Sequence, residues 1–214
     1  MHDLCLDIWA ARPEHAGTAV VLPDGCRDLI VRLAPGEAPY WFISDLPSSV
    51  ETVPFAAGVA MKGLRLRAGT RIDEARLIAA VGHMSPDDDR GLRLLIAEFC
   101  ARDGNTDEAL VALAEAASVA QGARRAGVTI RTLQRQVMDA TGRSPLYWQR
   151  LARIRRAGRT LRTTASLAEI ACGHDFADQA HFSRECRHWF GLTPAALRQR
   201  GDLLAMLAAP AYAG

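Results

Sequence analysis

Lysine is nearly absent from this 214-residue chain: Lys62 is the only one, and every other basic residue is arginine. Its basic contacts therefore rest on the planar, bidentate guanidinium rather than on a point charge. Cysteine is sparse and odd in number, with Cys5, Cys26, Cys100, Cys172 and Cys186 forming no CxxC pair, which excludes a disulfide framework. No run approaches the ~20 apolar residues that a membrane-spanning helix needs. The N-terminus lacks a basic start followed by an apolar run and a cleavage site, so the expected location is cytoplasmic and no membrane partner is expected. HxH, HExxH, GxSxG, GxGxxG and P-loop motifs are all missing. The first 104 residues hold only His2, His15 and His83, too scattered for a two-histidine metal site. An enzyme of those classes is excluded, and no cofactor is implied.

What is present is divided by charge. Residues 118–200 carry fifteen arginines against five acids, a formal +10, whereas residues 1–104 come to −4. The small net charge of +2 hides a basic module that attracts phosphate and an acidic one that does not.

The basic module reads as two helix-turn-helix units in tandem. The first is SVAQGARRAGVTIRTLQRQVMDATG, Ser118 to Gly142, where a short helix ends at Gly127 and Thr129 caps the next. The second is SLAEIACGHDFADQAHFSRECRHWFG, Ser166 to Gly191, with Asp178 or Ala177 opening its second helix. Residues three and four apart share a helix face. In the first unit that spacing puts Arg131, Gln134 and Arg135 outward, with Ile130, Leu133 and Val137 toward a core. In the second it buries Phe182, Cys186 and Phe190, leaving Ala180, His181, Arg184 and Arg187 on or near the outer face. Arginine can take a guanine edge in bidentate fashion and glutamine an adenine edge, so both faces suit direct readout of DNA. A single arginine-rich helix is more simply a solvated face; two in one small module favour double-stranded DNA.

These strings, with RSPLYWQRLARIRRAGRTL between them and LTPAALR after them, resemble the DNA-binding domain of the AraC/XylS family of bacterial transcription regulators. The resemblance implies seven helices, with a linking helix from about Pro145 to Leu161 holding the two units apart. It implies that Arg131, Gln134 and Arg135, then Gln179, His181 and Arg184, face DNA, and that Trp148, Ala157, Leu161, Ile170, Phe182 and Phe190 are core. Two recognition helices would enter successive major grooves about 34 Å apart, with Arg150, Arg153 and Arg155 on phosphates. Three positions depart from the family pattern: Asp175 replaces the usual turn glycine, Val137 a phenylalanine and Cys186 an aromatic. Aspartate tolerates the left-handed conformation, so the turn is expected to survive.

The N-terminal part shows short β-rich runs, TAVVL, DLIVRL, YWFIS and VAMKGLRLR, between turn signals such as Pro23-Asp24-Gly25. The fold class is therefore α+β: a small antiparallel sheet or barrel with connecting helices at 1–104, then an all-α domain at 105–214. Asp73-Glu74 starts a short helix ending near Gly82. Ser85-Pro86-Asp87 starts another running to about Arg102, and Thr106 caps a third through Ala117. LPDGCRDLIVRL and GLRLRAGT resemble the sensor-like N-terminal domain of one group of AraC-type regulators. Trp9, Tyr40, Trp41, Phe42 and Phe55, with Arg27, Asp28 and Arg65 on the same strands, are candidates for core or for an effector pocket.

The functional reading is a sequence-specific transcription regulator modulated by a small-molecule effector. RNA polymerase and a second copy of the chain are further candidate partners. The alternatives are an N-terminal module used only for dimerisation or protein interaction, and a DNA-repair enzyme fused to an AraC-like domain, for which Cys5 and Cys26 supply no cysteine cluster. Cys172, His174, Cys186 and His188 offer a zinc-like ligand set, yet the cysteines fall on apolar helix faces where they serve better as small core residues. No metal is expected.

Overall fold

A computed structural model describes residues 4–213. The chain divides into two compact units. One comprises Met1–Val20, Cys26–Leu46 and Thr52–Asp103; the other comprises Val21–Gly25, Pro47–Glu51 and Gly104–Gly214.

The first unit is built on strands β1 (Cys5–Ala11), β3 (Arg27–Leu33), β4 (Tyr40–Ile43) and β6 (Ala60–Leu66). They form an antiparallel sheet in the order β1-β6-β3-β4, with no further strand paired at either edge among the described residues, so of sheet and barrel the chain adopts the sheet. Strands β2 (Gly17–Val21) and β5 (Glu51–Phe55) pair separately as a two-stranded ribbon. Alternation along a strand sends successive side chains to opposite faces. Leu29 and Val31 of β3 and Leu64 and Leu66 of β6 thus share one face with Trp41. That face is covered by α1 (Glu74–Val81) through Leu77 and Val81 and by α2 (Asp89–Phe99) through Leu92 and Ile96.

On the other face Trp9 lies across Gly63, where a Cβ would fall 2.3 Å from the indole. The Trp9 indole N–H donates to Asp28 (2.8 Å), and the Arg65 Nε donates to the other carboxylate oxygen (3.2 Å). Arg27, Asp28 and Arg65 therefore have partners within this unit: Arg27 reaches the Ser44 carbonyl and Glu74.

Three boundaries differ from expectation. The helix starting near Ser85 begins at Asp89, because Asp88 rather than Ser85 accepts from the third amide, that of Gly91. It stops at Phe99, since Cys100–Ala101 (β8) is drawn into pairing with Arg71–Ile72 (β7). Thr106 does not cap: α3 runs Gly104–Ala114, with Thr106 inside and buried. Strand β1 had no signal in the sequence pattern. A bulge between Cys5 and Asp7 breaks its two-residue period.

The second unit holds α3 and seven further helices: α4 (Val119–Arg125), α5 (Ile130–Thr141), α6 (Pro145–Thr160), α7 (Leu167–Gly173), α8 (Gln179–Phe190), α9 (Pro194–Arg198) and α10 (Gly201–Ala208). Among the described residues that is eight helices where the resemblance implied seven. Helix α6 buries residues around most of its circumference, including Trp148, Leu151, Ile154 and Ala157. The expected core set of Trp148, Ala157, Leu161, Ile170, Phe182 and Phe190 is buried throughout.

Candidate nucleic-acid interface

The two helix-turn-helix units repeat one local plan. Ser118 and Ser166 cap the seven-residue helices α4 and α7. Thr129 and Asp178 cap the twelve-residue helices α5 and α8, each accepting from the amide three residues on. Gly142 and Gly191 end those helices in the left-handed conformation, and Ser144-Pro145 and Thr193-Pro194 open the next. Each side-chain cap is worth about 1 kcal/mol, so the helix ends are set locally before packing acts. Asp175 does adopt positive φ, at 59°, matching Gly127 at 67°.

The register places Arg135 and Arg184 at the same helical position, each two residues after a buried Leu133 or Phe182. Arg131, Gln134 and Arg135 are exposed, as are Gln179 and Arg184. Ile130 is 46 % exposed, so it does not join Leu133 and Val137 in the core; as the first residue of α5 it lies before the helix turns its apolar face inward. His181 behaves differently from the other five. It is half-buried, its Nδ1 accepts from the Ala177 amide (3.3 Å), and its ring meets Phe176 edge-on at 5.3 Å. The repeat register matches His181 to Thr132, which likewise folds back on its cap, and matches Gln134 to Ser183. Ser183 is half-buried, so the second unit has no long polar side chain where the first has Gln134.

Helix α6 ties α5 and α8 together. The Trp148 indole N–H donates to Thr141 Oγ1 (3.0 Å) at the end of α5. Arg150 grips Glu185 of α8 with two bonds (2.6 and 3.2 Å), and the Trp189 indole adds a third donor to the same carboxylate. Burial pushes the Glu185 carboxyl up, but Arg150, with Trp189 and Arg153, outweighs it and holds the carboxyl below its ordinary range. Arg153 lies over the Phe176 ring (4.8 Å) and donates to the Asp175 carbonyl, bracing the second turn.

The phosphate role expected for Arg155 is overturned, because its side chain is buried (1 % exposed) and donates to the carbonyls of Pro23 (3.2 Å) and Leu207 (3.3 Å). Arg150 and Arg153 are likewise committed inside the unit. The last carbonyls of a helix lack intrahelical donors, and arginines supply them here. Arg156 donates to Ala114, Arg159 to Leu207 and Arg198 to Leu161, and Arg198 also reaches the Ala165 carbonyl in the loop before α7. The +10 charge is thus partly spent on helix ends, and Arg131, Arg135, Arg184 and Arg187 remain without an internal ion pair among the described residues.

The cysteine and histidine pairs do not meet as ligands. Cys186 is buried, and that burial pushes its thiol up to about 12, whereas Cys172 is exposed. His174 shares a hydrogen bond with Thr160 (2.8 Å). Among the described residues no three His, Cys, Asp or Glu side chains gather as a metal-ligand set, and no helix is long and apolar enough to cross a membrane.

With this geometry in place, residues 122–200 match the family described as a helix-turn-helix domain. Over 109 residues the chain is 37 % identical to the HTH-type transcriptional activator RhaS of Escherichia fergusonii, covering 47 % of this chain and 39 % of that protein. Over 79 residues it is 39 % identical to the HTH-type transcriptional regulator GlxA of Rhizobium meliloti, covering 36 % of this chain and 24 % of that one. The chain thus spans less than two-fifths of the length of these relatives. It is also 32 % identical to the crystallised DNA-binding domain of AdpA in complex with a target DNA, covering 44 % of this chain and 86 % of that one, with a TM-score of 0.38. The C-terminal unit is a double helix-turn-helix DNA-binding domain. Residues 122–200 thus carry the AraC-type helix-turn-helix domain that the sequence resembles.

Proposed function

We propose that the whole chain is a sequence-specific transcription regulator whose helices α5 and α8 enter successive major grooves of one duplex. The observation that carries this reading is the repeated register of Arg135 and Arg184. Both are exposed and unpaired among the described residues, on helices with matching caps, and both are held by α6. In this reading Arg131, Gln134, Arg135, Gln179 and Arg184 meet base edges and exposed Arg187 meets backbone. His181 acts at the turn, presenting only the free edge of its ring to DNA.

The N-terminal unit supplies regulatory input from a small organic effector, through the Trp9–Asp28–Arg65 cluster on the sheet face opposite α1 and α2, and modulates contact with RNA polymerase in the cytoplasm. A thermal-shift screen of the full chain against small organic acids and bases tests that part. A stable dimer that responds to no ligand would replace the effector with a dimerisation role.

The DNA reading is tested with Arg135→Ala and Arg184→Ala in the full chain. Each is expected to weaken specific duplex binding by about 1–3 kcal/mol, while thermal stability stays within about 0.5 kcal/mol of the parent because neither side chain is buried. Two variants that bind operator DNA like the parent at matched salt would remove these helices from the interface.

A further inference from the structure

Leu22-Pro23-Asp24-Gly25 lies in the N-terminal half of the sequence but belongs to the helical unit. It is gripped at three points. The Pro23 carbonyl accepts from Arg155 Nη1 (3.2 Å), and the Asp24 carbonyl accepts from the Tyr212 amide (3.0 Å). At Gly25 a Cβ would stand 2.7 Å from Tyr212 Cβ, 2.9 Å from Trp148 and 3.2 Å from Leu151. Leu22, Pro23 and Gly25 are all buried. Three of these contacts, Trp148, Leu151 and Arg155, are on α6.

A second segment of the same unit, Pro47–Glu51, does related work. Its Pro47 carbonyl accepts from the Tyr147 hydroxyl (3.0 Å), and Val50 packs on Gly191, the residue that ends α8. Both segments continue directly into strands: Val21 closes β2, β3 opens at Arg27, and Glu51 opens β5.

We propose that Leu22–Gly25 is a strut that transmits the state of the sheet to α6, and so to the separation of the two reading helices. The inference rests on α5 and α8 being the DNA readers. Pro23 fixes its own φ and Gly25 sits at φ +78°, a backbone that other residues resist, so the loop is stiff enough to pass on a displacement. Only two residues separate Gly25 from Asp28, the carboxylate held by Trp9 and Arg65. The same Gly25 lies against Trp148, whose indole holds Thr141, the last residue of α5. The packed route from Asp28 along the turn to Trp148 and Thr141 is one that coupling can follow, and exchange measurements test whether it does.

The test is hydrogen exchange on the full chain without DNA, paired with duplex binding. Gly25→Ala is expected to speed exchange of the α6 amides by about tenfold. Gly36→Ala, with the same φ of +78° but nothing within 4 Å, should leave α6 unchanged and so separate the contact from backbone strain. Asp28→Asn, or the milder Trp9→Phe, should also speed exchange in α6, although both lie in the sheet. The strut is refuted if the Asp28 and Trp9 variants loosen β1, β3 and β6 while α6 keeps its parent rates, or if Gly25→Ala and Gly36→Ala are indistinguishable. A parent chain that binds no duplex refutes the DNA reading instead, so the two failures are told apart.

Discussion

Arg155 separates a structural use of arginine from a DNA-binding one, and Arg155→Met is the decisive change. Methionine keeps much of the aliphatic bulk within α6 but removes the donors to Pro23 and Leu207. The Leu207 carbonyl retains a bond from Arg159 Nε (2.8 Å), so the uncompensated loss falls mainly on Pro23. A hydrogen bond to a charged group is worth about 1.5–3 kcal/mol, and stranding part of a second raises the cost. Relief from burying a guanidinium works in the opposite direction. The net expectation is a loss of about 2–3 kcal/mol, or roughly 5–12 °C in Tm for a cooperative unit of this size. Because the side chain is buried, it releases no counterion on binding. The salt dependence of duplex affinity should then match the parent, whereas loss of a true phosphate contact flattens the slope by about 0.9. Urea unfolding and fluorescence anisotropy on a labelled duplex over a salt series make the two measurements. Parent-like stability combined with a flatter salt slope would refute the reasoning.

The second helix-turn-helix unit yields two further expected outcomes. Glu185 is held below its ordinary range, so the stability it contributes is present above its unfolded value of about 4.3 and is lost as pH falls through its lower folded value. Glu185→Gln should therefore melt below the parent at neutral pH, and the two melting temperatures should converge below about pH 4; a constant gap across that window would show that the carboxylate is not what Arg150 recognises. Asp175 has φ 59°, so Asp175→Gly should be neutral or stabilising by up to about 1 kcal/mol, and Asp175→Val destabilising by about 1–2 kcal/mol, in urea titrations. Equal stability of the two variants would mean that the turn relaxes out of the left-handed region.

The helical half was legible because its signals are local. Ser, Thr or Asp caps, the glycines after α5 and α8 and the prolines opening α6 and α9 fix helix ends from a few neighbouring residues. The Phe182, Cys186, Phe190 stripe fixes which face is buried. Where tertiary pairing decides, the reading slipped. Cys100–Ala101 has no strand signal of its own and is extended because Arg71–Ile72 lies beside it. Ser85, Asp87 and Asp88 are all competent caps, and only the packing of Leu92 and Ile96 on the sheet selects Asp88.

The harder limit concerns arginine, whose chemistry fits a phosphate and a helix-terminal carbonyl equally well. Spacing shows which arginines share a face, but not what that face meets. Arg150, Arg153, Arg155, Arg156, Arg159 and Arg198 all lie in the stretch whose net charge argued for DNA, yet each is bound to a carboxylate or a carbonyl of its own unit. Charge totals therefore overstate the field available to a duplex, while the residues that remain exposed sharpen it. Arg131 and Arg135 project from α5 and Arg184 and Arg187 from α8, on a unit whose Trp148 and Arg150 hold those helices in place. In the proposed readout of two grooves, helices already held in place avoid an ordering cost on binding, and the same kind of side chain that could hold a phosphate is used first to hold them.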